Sequence, residues 1–240
     1  MNKYIKDIIL DYVTLYGFVY KKNVFLRVKN DVVQGFTLRS KKAGIDTIFE
    51  LYFSTFPLCN PDANFYKYCF EVSDFGILRG PGGYWPYSFV TDTKEGLAEC
   101  SQKIVSHIRA ILLPYFNKYD CCIAAHHKDF PELIGFKGAI TDAVFYALKA
   151  KDRNAAITGL QGMLNQRQEA RKQNVEHFGN TYNIPSDSIH KEFDIRDTTL
   201  IKFIQKSSDE ELNAYLLANE KKALEFLRPT MNLTQSKKAR

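Results

Sequence analysis

The sequence predicts an α+β fold: an antiparallel sheet of about four strands flanked by two helices, followed by an all-helical C-terminal part. Three observations predict it. Between residues 23 and 75, short runs alternate apolar and polar residues and are broken by turn-forming pairs, which is the periodicity of strands. The segments on either side carry apolar residues at i, i+3, i+4 spacing, which is the periodicity of helices. From residue 136 onward the long segments keep that helical period.

Each element follows from its residues. In 2–16, Ile5, Ile8, Ile9, Tyr12, Val13 and Tyr16 form one apolar stripe, and Gly17 suits the position after a helix end. "NVFLRVK" (23–29) and "VVQGFTLRS" (32–40) flank Asn30-Asp31, a two-residue hairpin turn. "KKAG" (41–44) reads as the next turn. In "IDTIFELYFS" (45–54), Thr47, Phe49, Leu51 and Phe53 share one face, as in a half-buried strand. "YKYCFEVSDF" (66–75) reads as a fourth strand, and "RGPGGYWPYSF" (79–89) as a loop. Asp92 and Glu95 resemble a capping box before a helix whose buried stripe runs from Leu97 to Leu112, and Pro114 ends or kinks it. Segments 136–150 and 154–178 form a helical hairpin joined near Lys151-Asp152-Arg153. A polar loop with Pro185 leads to a short helix at 197–205. A long helix spans 207–227, capped by Ser207 or Ser208 with Glu210 or Glu211 in reciprocal position.

These elements divide the chain into a sheet domain (1–125), a helical domain (126–232) and a basic mobile tail (233–240). The length suffices for one large core or two small ones. The aromatic share of 14% argues against disorder. Net charge is +6, but residues 1–128 carry 16 Lys+Arg against 12 Asp+Glu, and the tail supplies much of the rest. Such a balance is too mild for a dedicated nucleic-acid surface. Asp7 and Asp11 interrupt the first apolar segment and break any secretory h-region. No stretch approaches the ~18 apolar residues of a membrane span. The 5 cysteines are odd in number and irregularly spaced, which reads as free thiols in a reducing cytoplasm.

"YGFVYKKNVFLRVKNDVVQGFTLRS" resembles the opening of a bacterial domain-of-unknown-function family in which a first helix is followed by Gly-Phe, basic residues and an Asn-x-Phe-x-Arg strand. Gly17-Phe18, Lys21-Lys22, Asn23, Phe25 and Arg27 fill those places, and "LLPYF" (112–116) matches a later feature. The resemblance covers about the first half of the chain. It implies a fold and no catalytic residue, and the long helical C-terminal part departs from it.

"DCCIAAHHKDF" (120–130) is the one stretch with dense chemistry. On a helix, Cys122 and His126 sit at i, i+4 and supply half of a metal site. The other half would come from His107, His177 or His190, none of which belongs to a short-spaced ligand pair. Zinc motifs usually show paired spacing, so no metal site and no cofactor are expected, and the stretch reads as a domain junction. A Cys-His nucleophile lacks a glycine-rich turn around Cys121 or Cys122.

Arg79, Tyr84, Trp85 and Tyr87 concentrate the residue types that carry binding energy at protein interfaces, beside a Gly-Pro-Gly-Gly run without the Lys-Ser/Thr of a phosphate loop. The alternative is that these aromatics pin a long loop to the sheet. A basic stripe of Lys21, Lys22, Arg27, Lys29, Arg39, Lys41 and Lys42, with Phe25 and Phe36 interleaved, has the pattern of a base-stacking sheet. Lysines at strand edges also serve simply to block edge pairing.

Three functions are weighed on these residues. The first is a cytoplasmic, non-catalytic protein-binding module, of which an immunity-type protein that neutralises a toxin is one form. The second is an enzyme with a site between sheet and helical part, using Cys122, His126, His127 and Arg79. The third is a weak nucleic-acid binder acting through the hairpin lysines. No membrane partner is expected.

Overall fold

The computed structural model describes residues 2–21, 23–43, 46–61, 76–77, 79–80, 83–84, 87–89, 93–127, 139–179 and 184–235. The fold is α+β, as the sequence predicts. Helix α1 (Lys3–Thr14) is capped by Asn2, whose side chain accepts the Tyr4 N–H at 2.8 Å, and it buries Ile5, Ile9 and Val13. Gly17 takes φ +82°, a conformation that side chains with a Cβ resist, and turns the chain into the sheet.

Four strands form an antiparallel meander: β1 (Val19–Lys21), β2 (Val24–Lys29), β3 (Val32–Ala43) and β4 (Asp46–Pro57). The pairing Lys29↔Val32 leaves Asn30-Asp31 as the expected two-residue turn, with Asn30 at φ +50°. The next turn lies later than expected. Strand β3 runs on through Lys41 and Lys42 to Ala43, which pairs with Asp46. The far edge of β4 receives two short strands, β5 (Gly76–Ile77) and β8 (Tyr87–Phe89). Between them, β6 (Arg79–Gly80) and β7 (Gly83–Tyr84) make a separate ribbon. The expected 79–89 loop thus contains three short strands among the described residues. The expected strand at 66–75 lies outside the described residues.

Both sheet faces are covered. Phe25, Phe36 and Phe53 sit side by side on one face and pack against α1 and the helix α2 (Lys94–His107). Thr93 caps α2 by accepting the Gly96 N–H at 3.0 Å, one residue after the expected cap Asp92, which lies outside the described residues. Pro114 does not end this helix. A π turn (Ile108–Leu112), in which the Leu113 N–H reaches Ile108 O, precedes it, and the rod continues as α3 (Leu113–Lys118). Widening the turn absorbs the carbonyl that proline cannot serve.

Helix α4 (Cys122–His127) crosses the 125/126 boundary between the two expected domains. The helical part comprises α5 (Ala139–Lys149), α6 (Arg153–Phe178), α7 (Ile184–Lys206) and α8 (Asp209–Gln235). Its own core joins Val144, Phe145, Leu148, Leu160, Ile204 and Leu216. It also packs on the sheet: Tyr146 shares a cluster with Val32, Tyr119 and Cys122, and Leu227 one with Val24, Val33 and Phe56. Ser208 and Glu211 form the expected capping box, the Glu211 N–H donating to Ser208 Oγ (3.2 Å) and the Ser208 N–H to Glu211 Oε2 (2.8 Å). Helix α7 is far longer than the 197–205 expected, and ion pairs to α6 hold its middle. Arg167 of α6 donates to Asp194 (2.7 Å) and Asp197 (2.5 Å), and Arg171 also pairs with Asp194. Among the described residues no helix is long and apolar enough to cross a membrane.

Candidate functional site

The "DCCIAAHH" stretch sits where sheet, α5 and α8 meet, and Asp31 in the β2–β3 turn organises it. Asp31 Oδ1 accepts the Cys122 N–H at 2.8 Å and so caps α4 across 91 residues of chain. The Asp31 carbonyl accepts the Cys122 thiol at 3.5 Å and the Leu58 N–H at 2.9 Å. Asp31 Oδ2 faces Lys149 Nζ at 3.5 Å, and Lys149 donates to Glu220 Oε1 at 2.6 Å. Beneath them, Cys59 and Cys122 are both buried, and Tyr146 donates its hydroxyl to Thr55 O at 2.7 Å.

The electrostatics of this junction hold each group in its resting form. Hydrogen bonding with the Cys59 thiol, together with burial, pushes the Cys122 thiol far above its ordinary range, and the Asp31 charge adds to the effect. A thiolate there is strongly disfavoured. Burial raises Tyr146 well above the ordinary phenol value. Burial alone would lower Lys149, but the hydrogen bond and charge of Glu220, with the charge of Asp31, outweigh it and hold the ammonium above its ordinary value. This arrangement keeps a thiol protonated and an amine charged, which is the reverse of what nucleophilic catalysis requires.

His126 is directed elsewhere. His126 Nε2 lies 3.2 Å from Asp152 Oδ2, and Asp152 Oδ1 caps α6 by accepting the Ala155 N–H at 2.9 Å. Cys122 points into the core while His126, one turn on, faces α6. Among the described residues no three His, Cys, Asp or Glu side chains come together as metal ligands. His107 lies on α2, His177 on α6 and His190 on α7, on three different helices.

The expected binding residues are partly gathered. Arg79 and Tyr84 pair directly across the β6–β7 ribbon, and Tyr87 on β8 pairs with Phe49 on β4. Trp85 lies outside the described residues.

The base-stacking sheet is overturned. Phe25 and Phe36 are fully buried and stacked on each other, with centroids 4.6 Å apart and planes at 10°. Arg27 is no surface cation either. It is buried, its Cζ lies 4.7 Å from the Phe18 ring centroid, and it donates to Gln34 Oε1 (2.7 Å) and Tyr16 O (3.0 Å). Alternation on β2 and β3 put these residues on the face covered by α1 and α2, so no base can reach the rings. Lys29 is exposed and Lys21 half-buried, while Lys22 lies outside the described residues. Arg39, Lys41 and Lys42 lie on β3.

Two features carried no sequence signal. One is the Asp31–Lys149–Glu220 clamp, whose members are far apart in the chain. The other is a surface at the end of α1. There Leu15 is 78% exposed and the Tyr12 and Tyr16 rings are 5.4 Å apart. Tyr12 and Tyr16 read as one apolar stripe by period; Tyr12, half-buried, packs against the core, whereas Tyr16 is exposed. No family model matches the chain, and neither a curated protein nor a solved structure matches it.

Proposed function

We propose that this protein acts by binding another protein, as a non-catalytic module. The observation that carries the reading is the exposed pair Leu15 and Tyr16 at the end of α1, with the half-buried Tyr12 ring 5.4 Å from that of Tyr16. Tyrosine and arginine dominate the energetic centres of protein interfaces, and burying an exposed leucine contributes about 1.5–3 kcal/mol. The cross-strand pair Arg79–Tyr84 supplies the same residue types on the β6–β7 ribbon. The groups proposed for catalysis bear on the choice too: Cys122 is buried, with its thiol held far above its ordinary range by Cys59 and burial, and His126 faces Asp152.

The test is site-specific photo-crosslinking in cells of the source organism, with the reactive group at position 15 or 84. One defined partner should crosslink, and its yield should fall about tenfold on Leu15→Glu with Tyr16→Ala. Lys103→Ala, on the exposed side of α2, should leave it unchanged. No partner at either position, or a yield indifferent to these substitutions, overturns the proposal. An immunity-type role follows if the captured partner arrests growth alone and not when co-expressed with this chain.

A further inference from the structure

A cavity of about 380 Å³ opens in the helical part, among α5, α6, α7 and α8, with Pro61 at one side. Its volume falls in the range of small-molecule sites, roughly 300–1,000 Å³. It exceeds the ~150 Å³ that suffices for a benzene ring in an apolar interior. Most of its wall is apolar and comes from Phe145, Leu160, Leu200, Phe203 and Tyr215. Phe145 and Leu160 belong to the buried core, whereas Leu200, Phe203 and Tyr215 pack against that core and are only half-buried, which leaves apolar surface for a guest. Phe203 and Tyr215 meet edge to face, with centroids 5.2 Å apart.

The charged groups on the wall, Arg196 and Asp197, are engaged within the protein. Asp197 is 1% exposed and both its oxygens accept guanidinium N–H groups: Oδ1 from Nε and Nη2 of Arg196, each at 3.0 Å, and Oδ2 from Arg167 Nη2 at 2.5 Å. The Arg196 guanidinium also lies 5.0 Å from the Phe193 ring centroid. An anion or a cation entering the cavity would give up its hydration and find its counter-charge already paired. An uncharged guest carries no such penalty and gains the burial of its apolar surface. A ring gains more than an alkyl chain of the same size, because it can meet Phe203 and Tyr215 edge to face or offset-stacked.

We propose that this cavity binds an uncharged aromatic molecule of one or two fused rings, its body against Phe203 and Tyr215. The volume limits its size, the half-buried rings select an aromatic body, and the paired Arg196 and Asp197 select against charge of either sign. Thr199, which also lines the cavity, is exposed on α7 with its hydroxyl donating to Ile195 O at 2.7 Å, so a larger side chain at that position can fill the cavity from its open side.

Four probes of the same carbon skeleton test each part by isothermal titration against the full chain at neutral pH. They are 2-naphthol, which is uncharged there because phenols ionise at about pH 10, the anion 2-naphthoate, the cation 2-naphthylmethylammonium, and the saturated alcohol 2-decalol. Expected are one 2-naphthol per chain, an affinity about tenfold lower for either ion, and one about threefold lower for 2-decalol. Thr199→Phe should occlude the cavity and weaken 2-naphthol about tenfold without altering the helical circular dichroism. Lack of saturable 2-naphthol binding, an ion or 2-decalol binding as tightly as 2-naphthol, or full affinity in Thr199→Phe would each overturn the proposal.

Discussion

Lys149 Nζ lies 2.6 Å from Glu220 Oε1 and 3.5 Å from Asp31 Oδ2, so one ammonium ties the β2–β3 turn and α8 to the end of α5. The side chain is 18% exposed, so its pairs are only partly screened. Replacing it leaves two carboxylates facing each other without their cation. Lys149→Met should cost about 2–3 kcal/mol, somewhat less than a fully buried pair, measured by urea unfolding. Its partners raise the Lys149 pKa in the folded state. That contribution is therefore complete below the unfolded lysine value of about 10.4 and is lost as pH rises through the folded value. Wild type should lose stability steeply on this alkaline limb, and Lys149→Met should flatten it. An unchanged midpoint in the variant would show that the clamp contributes nothing.

Arg27 supports a second prediction, because its charge is used inside the protein. The guanidinium packs on Phe18, donates to the Tyr16 carbonyl that follows α1, and donates to Gln34, whose amide donates in turn to Phe116 O and Tyr119 O. Lysine offers neither the planar stack nor the two-directional donors. Arg27→Lys should destabilise by about 1–3 kcal/mol despite keeping the charge. A thermal melt checks this. A variant as stable as wild type would mean that the stack and fork carry no weight.

How far the sequence foretold this structure depends on what holds each element. Strands β2 to β4, the Asn30-Asp31 turn and the Ser208–Glu211 cap were legible because their signals are local, whereas the three-residue β1 is too short to show a period. Phe25, Phe36 and Arg27 were misassigned to a surface stripe, since alternation shows that two residues share a face and not which face is covered. The Gly17-Phe18 and Asn-x-Phe-x-Arg residues prove structural: Gly17 and Asn23 take positive φ, and Phe18, Phe25 and Arg27 are buried. Helix α7 was read too short because Arg167 and Arg171 bind Asp194 and Asp197 from another helix. The Lys149–Glu220 pair spans 71 residues, and no periodicity reports such a contact.

The thiols give a third prediction. Burial pushes Cys100 up to about 12, and Cys122 is raised further through Cys59 and its own burial. At pH 8 a thiol with that value is ionised to roughly one part in ten thousand. Cys121, beside Cys122, is only half-buried, although its sulfur accepts the Ala124 N–H at 3.4 Å. Brief iodoacetamide treatment of the native protein, mapped by peptide mass spectrometry, should modify Cys121 well before Cys100 or Cys122. In urea the three should react at similar rates. Fast native labelling of Cys122 would contradict the junction and revive the Cys-His reading.

The acid limb of stability should depend on α6 and α7. Burial works against ionisation of Asp194, but hydrogen bonds from Arg167 and Arg171 outweigh it and hold the carboxyl below its ordinary value. A depressed carboxyl stabilises the folded state above its unfolded pKa, near 3.9, and that stabilisation fades as pH falls through the lower folded value. The first part of α7 has little apolar stripe to replace it: Phe193 and Ile195 are exposed. Acidification below about pH 4 should therefore loosen α7 from α6 first. Hydrogen exchange at pH 3 and pH 6 should show protection lost at 191–197 while the Phe25–Phe36 strands stay protected. Asp194→Asn should lose that protection already at pH 6, because the neutral amide cannot answer two guanidinium groups. Uniform loss along the chain would instead assign acid sensitivity to the whole fold.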